Sequence, residues 1–107
     1  MGNYRRAITD YNRAIRLEPT AEAFGGRALS HLHMGNYRRA IADLSEAIRI
    51  APNIADLFVS RGQVHLEMGN PDQAIADFEA ALRIDPNNTK AQESLSFARF
   101  FRMWQGL

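Results

Sequence analysis

The phrase GNYRRAITDYNRAIRLEP, which starts at Gly2, returns as GNYRRAIADLSEAIRIAP at Gly35 and as GNPDQAIADFEAALRIDP at Gly69, so the copies stand 33 and then 34 residues apart. A period of this size marks a stacked-repeat architecture, in which one two-helix unit cannot bury its apolar face alone and neighbouring units complete the core. With 107 residues there is room for about three such units in a single domain, and at 46% hydrophobic residues the chain is too apolar to stay disordered. The absence of Cys rules out a disulfide framework and a thiolate metal site. No apolar run approaches the roughly 18 to 20 residues that a bilayer span needs, and no signal-peptide pattern is present. The expectation is a soluble chain, with the cytoplasm as the default address. Met1-Gly2 could open a myristoylation signal, but Arg6 stands where that signal wants Ser or Thr.

Charge is distributed unevenly. Residues 1 to 39 hold seven Arg against three acids, residues 40 to 93 hold four bases against nine acids, and residues 94 to 107 add two Arg. A formal net charge of +1 gives no global attraction to nucleic acid, and the mixture of bases and aromatics that single-strand binding requires is confined to Phe97 to Trp104. RNA binding is therefore disfavoured.

Within each copy the apolar residues recur at helical spacing. Ala40, Ile41, Leu44, Ala47, Ile48 and Ile50 form one stripe, and Ala74, Ile75, Phe78, Ala81, Leu82 and Ile84 form its counterpart. Each of these helices runs into a proline, Pro19, Pro52 or Pro86, whose ring nitrogen cannot donate and which pushes the preceding residue out of the helical region. Second helices are expected at about Ala21 to His33 and Ile54 to Glu67, ending where Gly35 and Gly69 permit a left-handed turn. A last helix should run from about Thr89 to Gln105 with Asn88 as its N-cap. Gly25-Gly26 falls inside a helix and reads as a local weak point, each Gly costing roughly 1 kcal/mol relative to Ala.

At these residues the sequence resembles the tetratricopeptide repeat family along nearly its whole length. Phe58, Gly62, Leu66, Gly69, Ala74, Phe78, Ala81 and Pro86 carry the resemblance in one copy. Phe24, Ala28, Leu32, Gly35, Tyr37, Ala40, Leu44, Ala47 and Pro52 carry it in the copy before. The resemblance implies an all-α, helical-hairpin repeat solenoid wound as a right-handed superhelix, with six helices in the order B-A-B-A-B-A. The organisation expected is a half repeat at 2–19, repeats at 20–52 and 53–86, and a C-terminal helix at 87–105.

Arg27 and Arg61 occupy places where the family pattern has Leu, and Asp10, Asp43 and Asp77 stand on partner helices at matching spacing. Bidentate pairing across packed helices is the expected use. With two Arg and three Asp, either Asp10 or Asp77 lacks its mate. An anion site at the Arg residues is the minor alternative. His31 and His65 replace aromatics, and one repeat width of roughly 10 Å separates them, too far for a shared metal; they read as structural. No catalytic constellation, metal site or cofactor motif is present, so neither enzyme activity nor a cofactor is expected.

The family implies a concave groove lined by the first helix of each unit. Mapped here, the lining is Glu22, Gly25, Leu29 and His33, then Asp56, Val59, Gln63 and Glu67, then Lys90, Glu93, Phe97 and Phe101. The Lys, Asn and Arg that clamp a C-terminal carboxylate in some members are replaced by Gly25, Leu29, Ser60 and Ser94, with only Lys90 matching. An apolar peptide anchored at Leu29, Val59, Phe97 and Phe101, with polar help from Gln63, Glu67 and Lys90, is therefore expected.

The last helix carries Phe97, Phe100, Phe101 and Trp104 on one stripe, a patch that suits an interface better than a solvated cap; the alternative is that the helix bends back and buries them. Tyr4, Ile8, Tyr11 and Ile15 form an uncovered stripe on the first helix. The two stripes could satisfy each other between chains. The principal expectation is thus a non-catalytic scaffold binding a protein or peptide, and the alternative is a self-assembling module, a homodimer in preference to a polymer.

Overall fold

Three kinds of residue bound the helices. In the computed structural model, which describes residues 2–106, Asn3, Thr20 and Asn88 each accept a backbone N–H three residues on, from Arg6 (3.0 Å), Ala23 (3.1 Å) and Ala91 (2.9 Å). A side-chain oxygen at that position satisfies one of the donors a helix start leaves orphaned. These caps open α1 (Tyr4–Leu17), α2 (Ala21–His33) and α6 (Thr89–Gln105). Between them lie α3 (Tyr37–Ile50), α4 (Ala55–Glu67) and α5 (Pro71–Ile84). Pro71 suits the first turn of α5, where no intrahelical N–H bond is lost. Ile54, expected as the first residue of α4, has extended backbone and stands just ahead of it.

Helices α2 and α4 end in the same way. Gly35 and Gly69 both take φ +77°, a region that a β-carbon makes costly. Around them Asn36 N–H donates to His31 O (2.8 Å) and Gly35 N–H to Leu32 O (3.0 Å), with Asn70 to His65 (2.9 Å) and Gly69 to Leu66 (2.9 Å) repeating the arrangement. Helices α1, α3 and α5 stop instead at Glu18, Ala51 and Asp85, each followed by a proline. All six expected helices are present, and no strand occurs among the described residues. The fold is all-α and built of helical hairpins.

The chain divides into two compact units, Met1–Pro52 and Asn53–Leu107. In the first, α2 packs against both α1 and α3. Its core is made of small residues, Ala23, Ala28, Ala40 and Ala47, with Leu44, and these let the helices approach closely. No residue of α1 is buried; its stripe of Tyr4, Ile8, Tyr11 and Ile15 is only half-covered. Gly26 has a packing role that its sequence context did not announce: a β-carbon there would lie 2.3 Å from the Tyr11 ring.

In the second unit α5 packs against α4 and α6, and α4 also touches α6. Phe78, fully buried, anchors a cluster with Val59, Ala74, Ile75, Ala81, Ala91, Leu95 and Ala98. Its ring fills the space left by Gly62, where a β-carbon would meet it at 2.7 Å. Burying such a ring contributes about 2 to 3 kcal/mol.

Candidate functional site

In the second unit, the residues that the family resemblance assigns to a groove lie on α4 and α6, which touch each other. The start of α6 is fixed twice by Asn88: its Oδ1 caps the helix, and its Nδ2 donates to Asp56 Oδ1 of α4 at 3.2 Å. With α6 held there, its inward face of Ala91, Leu95 and Ala98 is buried, and the aromatics are left outside. Phe97 is 59% exposed and stacks at 6.4 Å, nearly parallel, on half-buried Phe101 one turn later. Lys90, Glu93 and Glu67 are exposed and Gln63 is half-buried.

One expected groove residue is not at the surface. Val59 shares the helical register of Gln63 and Glu67, yet it is 3% exposed and belongs to the Phe78 cluster. Its short branched side chain sits wholly within the packing of the unit, whereas Gln63 is half-buried and Glu67 exposed. Val59 therefore supports the surface from beneath.

In the first unit Leu29 is 56% exposed and the exposed His33 stacks on Tyr4 with ring centroids 4.7 Å apart. Tyr4 is thereby part-covered within its own chain. Phe100, Met103 and Trp104 continue the aromatic surface of α6, with Phe100 and Trp104 meeting edge to face at 6.1 Å. The helix does not bend back over them. Its two arginines are neutralised by α5: Arg99 meets Glu79 at 3.3 Å and Arg102 meets Asp72 at 3.4 Å. The basic character that the sequence suggests for this end is therefore largely offset, although exposed pairs of this kind contribute only about 0 to 1 kcal/mol each. Met103, 61% exposed, is a surface residue that the aromatic pattern alone did not single out.

The Arg–Asp pairs form as expected. Arg27 Nε and Nη2 donate to the two oxygens of Asp43 at 2.9 and 2.7 Å, and Arg61 holds Asp77 at the same distances. Asp43 and Asp77 are buried, while Asp10 is exposed and has no Arg mate among the described residues. The hydrogen bond to Asp43 raises Arg27 above its ordinary pKa against the opposing effect of burial. Each guanidinium also lies over an aromatic ring one turn back, Arg27 over Phe24 at 5.5 Å and Arg61 over Phe58 at 5.7 Å. Two partners were not legible in the repeat pattern: Asn12 Oδ1 accepts from Arg27 Nη1 at 2.9 Å, and the Asn36 amide meets His31 Nδ1 at 3.4 Å.

The two histidines stand beside these pairs. Burial pushes both below the usual imidazole pKa, with the neighbouring Asp opposing and the nearby Arg reinforcing the shift. Their Nε2 atoms lie 4.0 Å (His31) and 3.9 Å (His65) from the Asp oxygens, beyond hydrogen-bonding reach. Both imidazoles are neutral at pH 7.

Two family models described as tetratricopeptide repeat match the chain, one over residues 1–55 and one over residues 55–88. Among solved structures, the crystal structure of MamA protein is 26% identical, with a TM-score of 0.89 over 94% of this chain and 56% of that one. The second tetratricopeptide domain of human RPAP3, solved in complex with an HSP70 peptide, is 31% identical with a TM-score of 0.86, covering 92% of this chain and 82% of that one. The Arabidopsis OM64 tetratricopeptide domain is 27% identical with a TM-score of 0.84, covering 90% and 80%. The chain thus spans a little over half the length of MamA. No curated protein matches.

Proposed function

Because the chain belongs to the tetratricopeptide repeat family, we propose that it is a non-catalytic interaction scaffold that captures an extended peptide or partner helix on the α4/α6 face of its second unit. The observation that carries this reading is the stacked pair Phe97–Phe101, of which Phe97 is 59% exposed with Lys90 and Glu93 on the same helix. An apolar ledge with flanking polar groups is the form that peptide-binding surfaces take: the apolar side chain supplies affinity and the polar groups set register. Support also comes from the RPAP3 domain, which was solved with a bound peptide. Carboxylate-clamp chemistry is not part of the proposal, because Ser60 and Ser94 stand at clamp places. The test is selection from a displayed peptide library on the immobilised chain. Selected peptides should share an apolar anchor residue and should be lost on Phe97→Ala; enrichment of acidic C-terminal tails, or retention by the variant, would contradict it.

A second reading, self-association, is favoured by the outer part of the same helix. Phe97, Phe100, Met103 and Trp104 are each more than half exposed. Together they offer about 400 to 500 Å², against about 800 Å² per partner in a standard interface. The half-covered stripe of Tyr4, Ile8, Tyr11 and Ile15 on a second copy is the surface that would complete it, in a reciprocal homodimer in preference to a polymer. Light scattering across a concentration series should then show a dimer that Phe100→Glu with Trp104→Glu dissolves. A monomer at all concentrations removes this reading and leaves the peptide reading standing.

A further inference from the structure

The first unit holds a polar cleft that the α4/α6 peptide face does not use. It is an open space of about 370 Å³ with Ile8 and Asn12 of α1 on one wall, Arg39 and Ala42 of α3 on the other, and Arg27, His31 and Asp43 between them. The hydrogen bonds leave it with donors in excess. Arg27 has five N–H groups, and three are engaged, two with Asp43 and one with Asn12 Oδ1. His31 is 6% exposed. Its Nδ1 faces the amide of Asn36, which places the ring proton on Nε2. The His31 ring lines the cleft, and Asp43 Oδ2, 4.0 Å from Nε2, is beyond hydrogen-bonding reach. Arg39 is exposed and has no ion-pair partner among the described residues.

The acceptors, by contrast, are occupied: both oxygens of Asp43 and the Asn12 oxygen already hold Arg27. Two guanidinium groups against one carboxylate, with the imidazole neutral, leave the lining one positive charge in excess. A monoanion balances that charge, whereas a phosphate dianion would overshoot it next to Asp43. The apolar surfaces of Ile8 and Ala42 suit the methylene stem of an acidic residue.

We infer that this cleft is a second binding site, specific for a carboxylate of an acidic peptide segment, held by Arg39, the free donors of Arg27 and the His31 Nε2–H. The surroundings assist capture. Residues 1–52 carry eight Arg against five acids, and Arg5, Arg6 and Arg38 are exposed in the first turns of α1 and α3. A basic field of this kind raises the rate of encounter with acidic chains. Each Arg pair also stands at the positive end of its helix dipole, where a cation is mildly unfavourable.

The experiment is an NMR titration of the 107-residue chain at low salt with a Glu-Gly repeat peptide blocked at both ends. Three comparison probes are a Gln-Gly peptide with a free C-terminus, inorganic phosphate and a single-stranded RNA 20-mer. The Glu peptide should shift the His31 ring and the Arg27 and Arg39 side-chain signals, and Arg39→Gln should weaken it at least fivefold. Arg38→Gln, the adjacent exposed arginine outside the lining, should change it less than twofold, and Phe97→Ala not at all. Melting temperatures should match across the three variants. Binding of the free-C-terminus Gln peptide instead of the blocked Glu peptide would keep the carboxylate and assign its source to a chain end. Equal losses on Arg38→Gln and Arg39→Gln, unmoved His31 signals, or stronger effects of phosphate or RNA would each overturn the inference.

Discussion

Asp43 and Asp10 occupy the same place in successive copies of one phrase, yet they have different physical roles. Asp43 is buried against Arg27, and Asp10 is exposed. Asp43→Asn should cost about 1 to 3 kcal/mol, less than a fully buried pair because Arg27 keeps 23% of its side chain in water. Asp10→Asn should stay within about 0.5 kcal/mol. Urea unfolding of the two variants makes the comparison. The histidines add a pH dependence whose sign is determined by burial. Both are held below their ordinary value of about 6.5, so below that pH the unfolded chain binds protons that the folded chain refuses. Stability is therefore full above about pH 6.5 and falls as pH drops toward the folded-state values. His31→Gln with His65→Gln should flatten the fall in melting temperature between pH 7 and pH 5. The Arg27–Asp43 match was legible because a fixed offset recurs in two copies. Asn12 was not, because its contact depends on how close α1 comes to α2, and no periodicity in the sequence records that distance.

Among the helices, two interior glycines separate packing from propensity. Replacing Gly by Ala in a helix gains roughly 1 kcal/mol in an exposed position. At Gly62 the added carbon meets the fully buried Phe78 ring at 2.7 Å, so Gly62→Ala should destabilise by about 1 to 3 kcal/mol. At Gly26 the obstacle is Tyr11, whose half-covered ring has solvent to swing into, so Gly26→Ala should be close to neutral. Thermal melts of both variants, with Gly62→Ala the lower, check this contrast. Helix bounds were readable from prolines, caps and the Gly35 and Gly69 turns, because each of these acts through its own backbone chemistry. The burial of Val59 was not readable in this way: the register of α4 puts it in line with Gln63 and Glu67, and only the packing of the Phe78 cluster around it decides that a short side chain at that place is enclosed.

For the whole molecule, the repeat period led directly to the family, since a two-helix unit of this length that cannot close its own core has few ways to fold. The candidate surface was legible only in part. Lys90, Glu93, Phe97 and Phe101 came from mapping the family's groove onto α6, and the exposure of the first three follows from which face of that helix its alanines and Leu95 bury. The partner chemistry we propose follows from the residues present rather than from pattern: an apolar anchor for the Phe97 ledge, and in the other unit a carboxylate for the Arg39 cleft. The central claim is that Phe97 is the anchor point of a peptide-binding face. Its most direct test is the dissociation constant of one library-selected peptide for the wild-type chain and for Phe97→Ala, with circular dichroism melts of both. The account predicts at least a tenfold loss of affinity at an unchanged melting temperature. Equal affinities in two equally stable chains would contradict it.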